Sequence, residues 1–284
     1  MKIKACQSSN LMFALALIGI SILMGCSKNN IQQRTTATSL LDTVVYGNYK
    51  LNYLYDSRDR VVEERYFFKD TIQERCVYFY NGNDSFPYKR DQYRPTSTSP
   101  IASSFFIYNG ARQKIYDSTI TSTTRLITDI NRNPVGVIVV SQKAYRTAWI
   151  ELVKDSIFLN GTGNIDKIRT YYDMRTGVLK YNGEFKYTQY DSHANTLKTL
   201  SIAACNFYIA GNPYGLASFQ NASTLSLDFY NNNFLTVAAF YKTDGTVFSN
   251  WQNAFTFNAN NQPVSQILSY PSVPSSYTYQ FVYK

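Results

Sequence analysis

The stretch YKLNYLYDSRDRVVEERYFF, residues 49–68, decides how the rest of the chain is read. Its first part alternates, with Tyr49, Leu51, Tyr53 and Tyr55 falling on one face and Lys50 and Asn52 on the other. Period two with aromatic and β-branched enrichment is the signal of a half-buried strand. The polar run Asp56-Ser57-Arg58-Asp59-Arg60 is turn material, after which a second aromatic and β-branched run returns. The segment predicts a β-hairpin.

The same gesture recurs along the chain. It appears in FKYTQYDSHANTLKTLSI (185–202), STLSLDFYNNNFLTVAAFY (223–241) and NAFTFNANNQPVSQILSY (253–270). The C-terminal YTYQFVYK alternates strictly and places Tyr277, Tyr279, Phe281 and Tyr283 together. VGVIVV (135–140) is apolar on both faces and reads as a central strand. Turn signals are dense, with Asn-Gly starting at 81, 109, 160 and 182 and Asp-Gly at 244. No amphipathic helix of ordinary length is visible, and NPYGLASFQN (212–221) offers one or two turns at most. Residues 88–104, with Pro95, Pro100 and many hydroxyls, read as a long exposed loop, and 210–223 as a second irregular insert. The expected fold is all-β: a large antiparallel meander of consecutive hairpins forming a twisted, curved sheet. Alternation alone leaves open whether that sheet closes into a barrel.

The N-terminus is built differently. Lys2 and Lys4 precede an uncharged run from Leu11 to Met24. As a helix that run reaches about 21 Å, short of the ~30 Å hydrocarbon core, so it reads as a secretory signal rather than a membrane span. It ends in Leu23-Met24-Gly25-Cys26, which resembles the lipobox of bacterial lipoproteins, whose cysteine thiol receives a diacylglycerol before cleavage on its amino side. The resemblance implies residues 1–25 as a lipoprotein signal peptide and Cys26 as the lipidated first residue. Residues 26–41 then form a polar tether, and 42–284 the β domain. Ser27 rather than Asp follows the cysteine, which points to the outer membrane and leaves the leaflet open.

Composition narrows the partners. Loss of residues 1–25 lowers the formal charge from +9 to +7, and no block of five or six like charges remains. The surplus reads as a solvated surface with mild attraction for anionic lipid or glycan, and nucleic acid is excluded as a partner. Processing leaves Cys76 and Cys205 in the fold, as two buried thiols or as a disulfide.

The unit Tyr/Phe-x-Tyr/Phe-Asp/Asn, then a polar turn, then Pro or an aliphatic residue, resembles the YD-type hairpin repeats of secreted bacterial proteins. Here it stands as Tyr53-Leu54-Tyr55-Asp56, Tyr187-Thr188-Gln189-Tyr190-Asp191 and Phe255-Thr256-Phe257-Asn258 with Pro263. With the lipobox, the whole is similar to an uncharacterised group of Bacteroidota outer-membrane lipoproteins. That group implies a fold and a location, and no catalytic residue.

A search for chemistry finds little. The single histidine, His193, sits in the turn-like YDSHAN, a poor place for a general base that needs a fixed orienting partner. Cys76, Cys205 and His193 lack the close-spaced pairs of a zinc site. NGTGNID offers Asn160, Thr162, Asn164 and Asp166 as oxygen ligands without the acidic first position of a calcium loop, and reads as a plain turn. No cofactor and no catalytic residue are assigned. Four Asp-Ser/Thr triplets place Thr43, Thr71, Ser118 and Ser156 as candidate O-glycosylation sites in an exported protein. The expected function is a non-catalytic cell-envelope lipoprotein with a β-sheet surface for a glycan or protein partner. The alternatives are a carbohydrate-active hydrolase, which needs a cleft with paired carboxylates, and a carrier of an apolar ligand, which needs an enclosed dry pocket.

Overall fold

Alternation persists from strand to strand, and the sheet it builds closes on itself. The structure is a computed structural model that describes residues 39–145, 149–173, 178–200, 232–271 and 276–284. The strands are β1 (Leu41–Tyr46), β2 (Tyr49–Tyr55), β3 (Val61–Phe68), β4 (Thr71–Phe79), β5 (Lys89–Tyr93), β6 (Ala102–Tyr108), β7 (Lys114–Thr121) and β8 (Arg125–Arg132). They continue as β9 (Val137–Tyr145), β10 (Trp149–Leu159), β11 (Ile165–Tyr172), β12 (Lys180–Ala194), β13 (Asn233–Lys242), β14 (Val247–Phe257), β15 (Pro263–Ser269) and β16 (Ser276–Tyr283). Each pairs antiparallel with its neighbour in sequence, and β1 pairs with β16, so the meander is a closed barrel rather than an open curved sheet. Val44 stands opposite both Leu51 and Phe281, and Leu40 and Lys284 exchange backbone hydrogen bonds of 3.0 and 2.9 Å. Closure leaves no edge strand to template a second chain.

Register sorts the side chains by face. Tyr53, Val61, Ile157, Ile165, Leu235, Trp251 and Leu268 point inward and are fully buried, within one continuous apolar cluster. Tyr279 and Phe281 are buried on the same inner face, which carries Tyr277 and Tyr283 as well, as the alternation of the last strand predicts.

One rim shows what the turn-opening Asp and Asn residues do. Five hairpin turns there, among the described residues, open with Asp56, Asn109, Asn133, Asn160 or Asn258. In four of them the Asx Oδ1 accepts two backbone N–H groups, from Arg58 and Arg60, Ala111 and Gln113, Thr162 and Asn164, or Asn260 and Gln262. The fourth residue of each turn has positive φ: Asp59, Arg112, Gly136, Gly163 and Asn261. Tyrosines at strand ends, four of them directly before Asp56, Asn81, Asn109 or Asp191, also have a task. Tyr55, Tyr80, Tyr108, Tyr190 and Tyr283 donate their hydroxyls to the carbonyls of Leu41, Val61, Pro87, Ile165 and Pro263, at the start of the preceding strand. Each tyrosine therefore ties the two ends of a hairpin together at the rim. Tyr55→Phe is expected to cost about 1 kcal/mol, the net contribution of one such bond, measured by urea unfolding.

Three expectations change. Residues 88–104 are not one loop, since β5 lies within them and buries Arg90 and Asp91 at 8% and 4% exposure. Asn182-Gly183 is not a turn but a bulge inside β12. His193 is not at a turn tip, because β12 runs on to Ala194 before a short 3-10 helix at Thr196–Thr199.

Candidate functional site

The interior is divided into two arcs. From β12 round to β2 the inward side chains are largely aromatic, with rings in contact: Phe185 with Phe240 at 4.6 Å, Phe185 edge-on to Trp251 at 6.1 Å, and Tyr46 stacked on Tyr279 at 4.7 Å. From β3 to β11 the inner face is polar at mid-height. Tyr78, Arg90, Ser104 and Thr119 form one row across four strands, and Asp117, Thr128 and Gln142 a second. The Tyr78 hydroxyl donates to Glu64 Oε2 at 2.7 Å, Arg90 Nη2 to Ser104 Oγ at 3.3 Å, and Lys114 Nζ to Asp117 Oδ2 at 2.7 Å. Asp155 accepts from the Thr170 hydroxyl through Oδ1, while its Oδ2 has no hydrogen-bond partner among the described residues.

Burial governs the charge state of these acids. Glu64 is 1% exposed, and loss of solvent pushes its carboxyl up to about 7, against the Tyr78 hydrogen bond and the Arg90 charge. Glu74 is raised by the same cause. Asp155, fully buried with only Thr170 to favour its anion, is pushed up to about 7. Glu64 and Glu74 are the kind of carboxylate pair a glycosidase uses, but both face inward behind the barrel wall at 1% and 7% exposure. A polysaccharide needs an open cleft between such groups. Sequence parity was the signal for Glu64: it precedes inward Tyr66 by two residues and therefore shares its face.

The sites expected from sequence scatter. Cys26 and Cys205 lie outside the described residues, so neither the lipid nor a disulfide is on view. Cys76 is buried on the inner face of β4 with its Sγ 4.0 Å from Glu74 Oε1. Thr43 and Ser118 are outward in register yet only 7% and 4% exposed, Ser156 is outward and half-buried, and Thr71 is exposed beside the Lys69-Asp70 turn. His193 stacks on Phe257 at 3.9 Å with Nδ1 3.3 Å from Asp191 Oδ2, while Asp191 Oδ1 accepts the backbone N–H of His193 and Phe234. In NGTGNID, Asn160 Oδ1 already accepts three hydrogen bonds within the turn.

The outer wall is the larger accessible surface, and it is charged. Lys50, Arg65, Arg75, Lys154, Lys167 and Lys186 stand outward in strand interiors, interleaved with Phe67, Phe79, Phe105 and Phe158. Cations lie over several of these rings: Lys50 over Phe67 at 4.7 Å, Arg75 over Tyr93 at 4.3 Å and Lys89 over Phe79 at 4.9 Å. A membrane-spanning barrel carries an apolar outward belt, and each Lys or Arg at the bilayer midplane costs about 2–4 kcal/mol. In this barrel Lys and Arg stand mid-strand on the outer wall beside exposed Phe105, Ile107, Ile120, Ile267 and Val282, while the inner face carries the aromatic arc and the polar one. Among the described residues, no helix is long and apolar enough to cross a membrane, which says nothing of a barrel that crosses with strands.

The described strands thus define a closed antiparallel barrel of sixteen strands whose outer wall carries lysine and arginine side chains mid-strand. Among solved structures it is similar to a porin-like protein from Bacteroides vulgatus, with 10% identity, a TM-score of 0.57, and 87% of this chain and 99% of that chain covered. It is also similar to a porin-like protein from Bacteroides uniformis, with 10% identity, a TM-score of 0.53, and 86% and 96% covered. At that identity the likeness carries the fold alone. No family model matches the chain, and no curated protein does.

Proposed function

We propose that this chain is a non-catalytic lipoprotein of the bacterial outer membrane, a water-soluble barrel tethered through lipidated Cys26, whose outer wall binds a glycan or an envelope protein. The observation that carries this reading is the polarity of the barrel: mid-strand charges such as Arg65, Arg75, Lys167 and Lys186 face outward while Trp251, Tyr53 and Ile157 fill the inside. Such a body needs a separate anchor to stay at a membrane, and the sequence supplies one in Leu23-Met24-Gly25-Cys26. A lipidated cysteine with two or three acyl chains holds firmly, at about 0.8 kcal/mol per buried methylene.

The test uses the full chain and its Cys26→Ala variant, fed labelled palmitate in a lipoprotein-processing bacterial host. Wild type is expected to take the label and partition into detergent. The variant is expected to lose the label and accumulate unprocessed or mislocalised. The chain from Ser27 onward, made without the signal, is expected to stay in solution without detergent and to give no conductance in planar bilayers. Unchanged labelling of the variant overturns the anchor, and a barrel that requires detergent overturns the soluble body.

A further inference from the structure

We infer that the outer wall over β10, β11 and β12 is a binding face for an anionic glycan, a polysaccharide bearing carboxylate or sulfate groups; this rests on the reading of the wall as a glycan-binding surface. Register lays out the face. Phe158, Lys167 and Lys186 form one row across the three strands, Ser156, Arg169 and Glu184 the next, and Lys154, Tyr171 and Tyr181 a third. Lys167 and Lys186 stand directly opposite each other, an arrangement that destabilises a sheet when nothing negative lies between.

The charges are not neutralised by the wall itself. Glu184 serves two cations, taking Arg169 Nε at 2.8 Å and Lys186 Nζ at 3.8 Å. Asp166 is exposed at the bulge before Lys167, and Glu151 occupies the register position opposite Lys143 toward the far end of β10. Among the described residues neither Lys154 nor Lys167 has an acidic partner. Aromatic rings hold the cations in place instead: Lys167 and Arg169 lie 5.2 and 5.4 Å from the Phe158 ring, and Lys186 lies 4.3 Å from Tyr241. A ring steadies a cation without cancelling its charge.

Shape and ring coverage choose the partner. Rows of cations on strands about 4.8 Å apart suit an extended chain whose charge repeats once or twice per sugar. Nucleic acid would stack its bases on open aromatic faces beside the cations; here the Phe158 and Tyr241 rings are covered by Lys and Arg, and the exposed ring of Tyr181 stands two rows from Lys167 and Lys186. An anionic bilayer would be met at a rim near the tether, whereas these cations stand on the side wall.

The experiment titrates the soluble chain from Ser27 onward with polygalacturonate, dextran sulfate and uncharged dextran, with phosphatidylglycerol vesicles and a single-stranded oligonucleotide alongside. One or both acidic polysaccharides are expected to bind, more weakly as salt rises, and dextran is not. Lys167→Gln with Lys186→Gln is expected to weaken binding about tenfold or more, with unfolding no easier because a like-charge pair is gone. Lys50→Gln with Arg75→Gln, on the wall formed by β2 and β4, is expected to leave binding unchanged. Equal loss in both double variants, or equal binding of dextran, overturns the anionic site while the glycan reading stands. Binding to no polysaccharide overturns both. Preference for the vesicles or the oligonucleotide overturns the choice of partner.

Discussion

Asp155→Asn is expected to stabilise the barrel above neutral pH and to flatten its dependence on pH. The carboxyl of Asp155 is fully buried and titrates near 7 in the fold instead of at its ordinary 3.8. Between those values the folded chain binds more protons than the unfolded one, so stability falls as pH rises through the window and stays low above it. At 1.36 kcal/mol per tenfold change in proton affinity, the loss for Asp155 is on the order of 4 kcal/mol. Glu64 acts in the same direction, from 4.5 to about 7, with a smaller span. An asparagine keeps the shape and accepts the Thr170 hydroxyl bond, without the charge. Urea unfolding at about pH 5 and about pH 8 should show wild type losing several kcal/mol while the D155N variant loses much less. Wild-type stability that rises over this interval would show that the acids are not buried as described.

Period two made the strands legible, because the same parity that makes Tyr49, Leu51, Tyr53 and Tyr55 one face also makes Lys50 and Asn52 the other. Closure was not legible. It depends on Val44 meeting Phe281 across 237 residues of chain, and neither residue carries a local sign of its partner. The error over β5 has a different cause. Lys89-Arg90-Asp91-Gln92-Tyr93 carries charges where a strand is expected to carry apolar residues, and their burial is made tolerable by partners distant in sequence or on the same strand: Ser104, Glu64 and Glu74 for Arg90, and Lys89, Tyr93 and Ser103 for Asp91. The inner polar arc was missed for the same reason. An inward acid such as Asp155 looks on paper like a surface residue, and its Asp-Ser-Ile setting drew attention to the outward Ser156 instead. The wall cations were counted correctly as a thin surplus, but composition cannot show that register brings Lys167 against Lys186.

Gly183→Ala is expected to cost more than about 3 kcal/mol and to be the most damaging single-methyl addition in the barrel. Gly183 has φ of +149° at the point where pairing slips, since Thr170 faces Gly183 while Tyr171 faces Tyr181, leaving Asn182 as the extra residue. The slip brings β13 very close: a Cβ at Gly183 would lie 2.3 Å from the Tyr241 carbonyl oxygen and 2.6 Å from the Phe240 ring. Neither neighbour can move cheaply. The carbonyl belongs to the ladder with Glu184, and Phe240 is held at 4.6 Å by Phe185 and edge-on at 6.2 Å by Phe248. Relief therefore requires opening the β12–β13 pairing at the aromatic arc of the core, beside Trp251. Gly110 supplies the comparison, because its φ is not positive and no atom lies within 4 Å of the added carbon. Gly110→Ala should fall within about 0.5 kcal/mol of wild type. If chemical unfolding of the two variants gives equal costs, the bulge at Gly183 is not the tight crossing described, and Asn182-Gly183 is only a loose point in the strand.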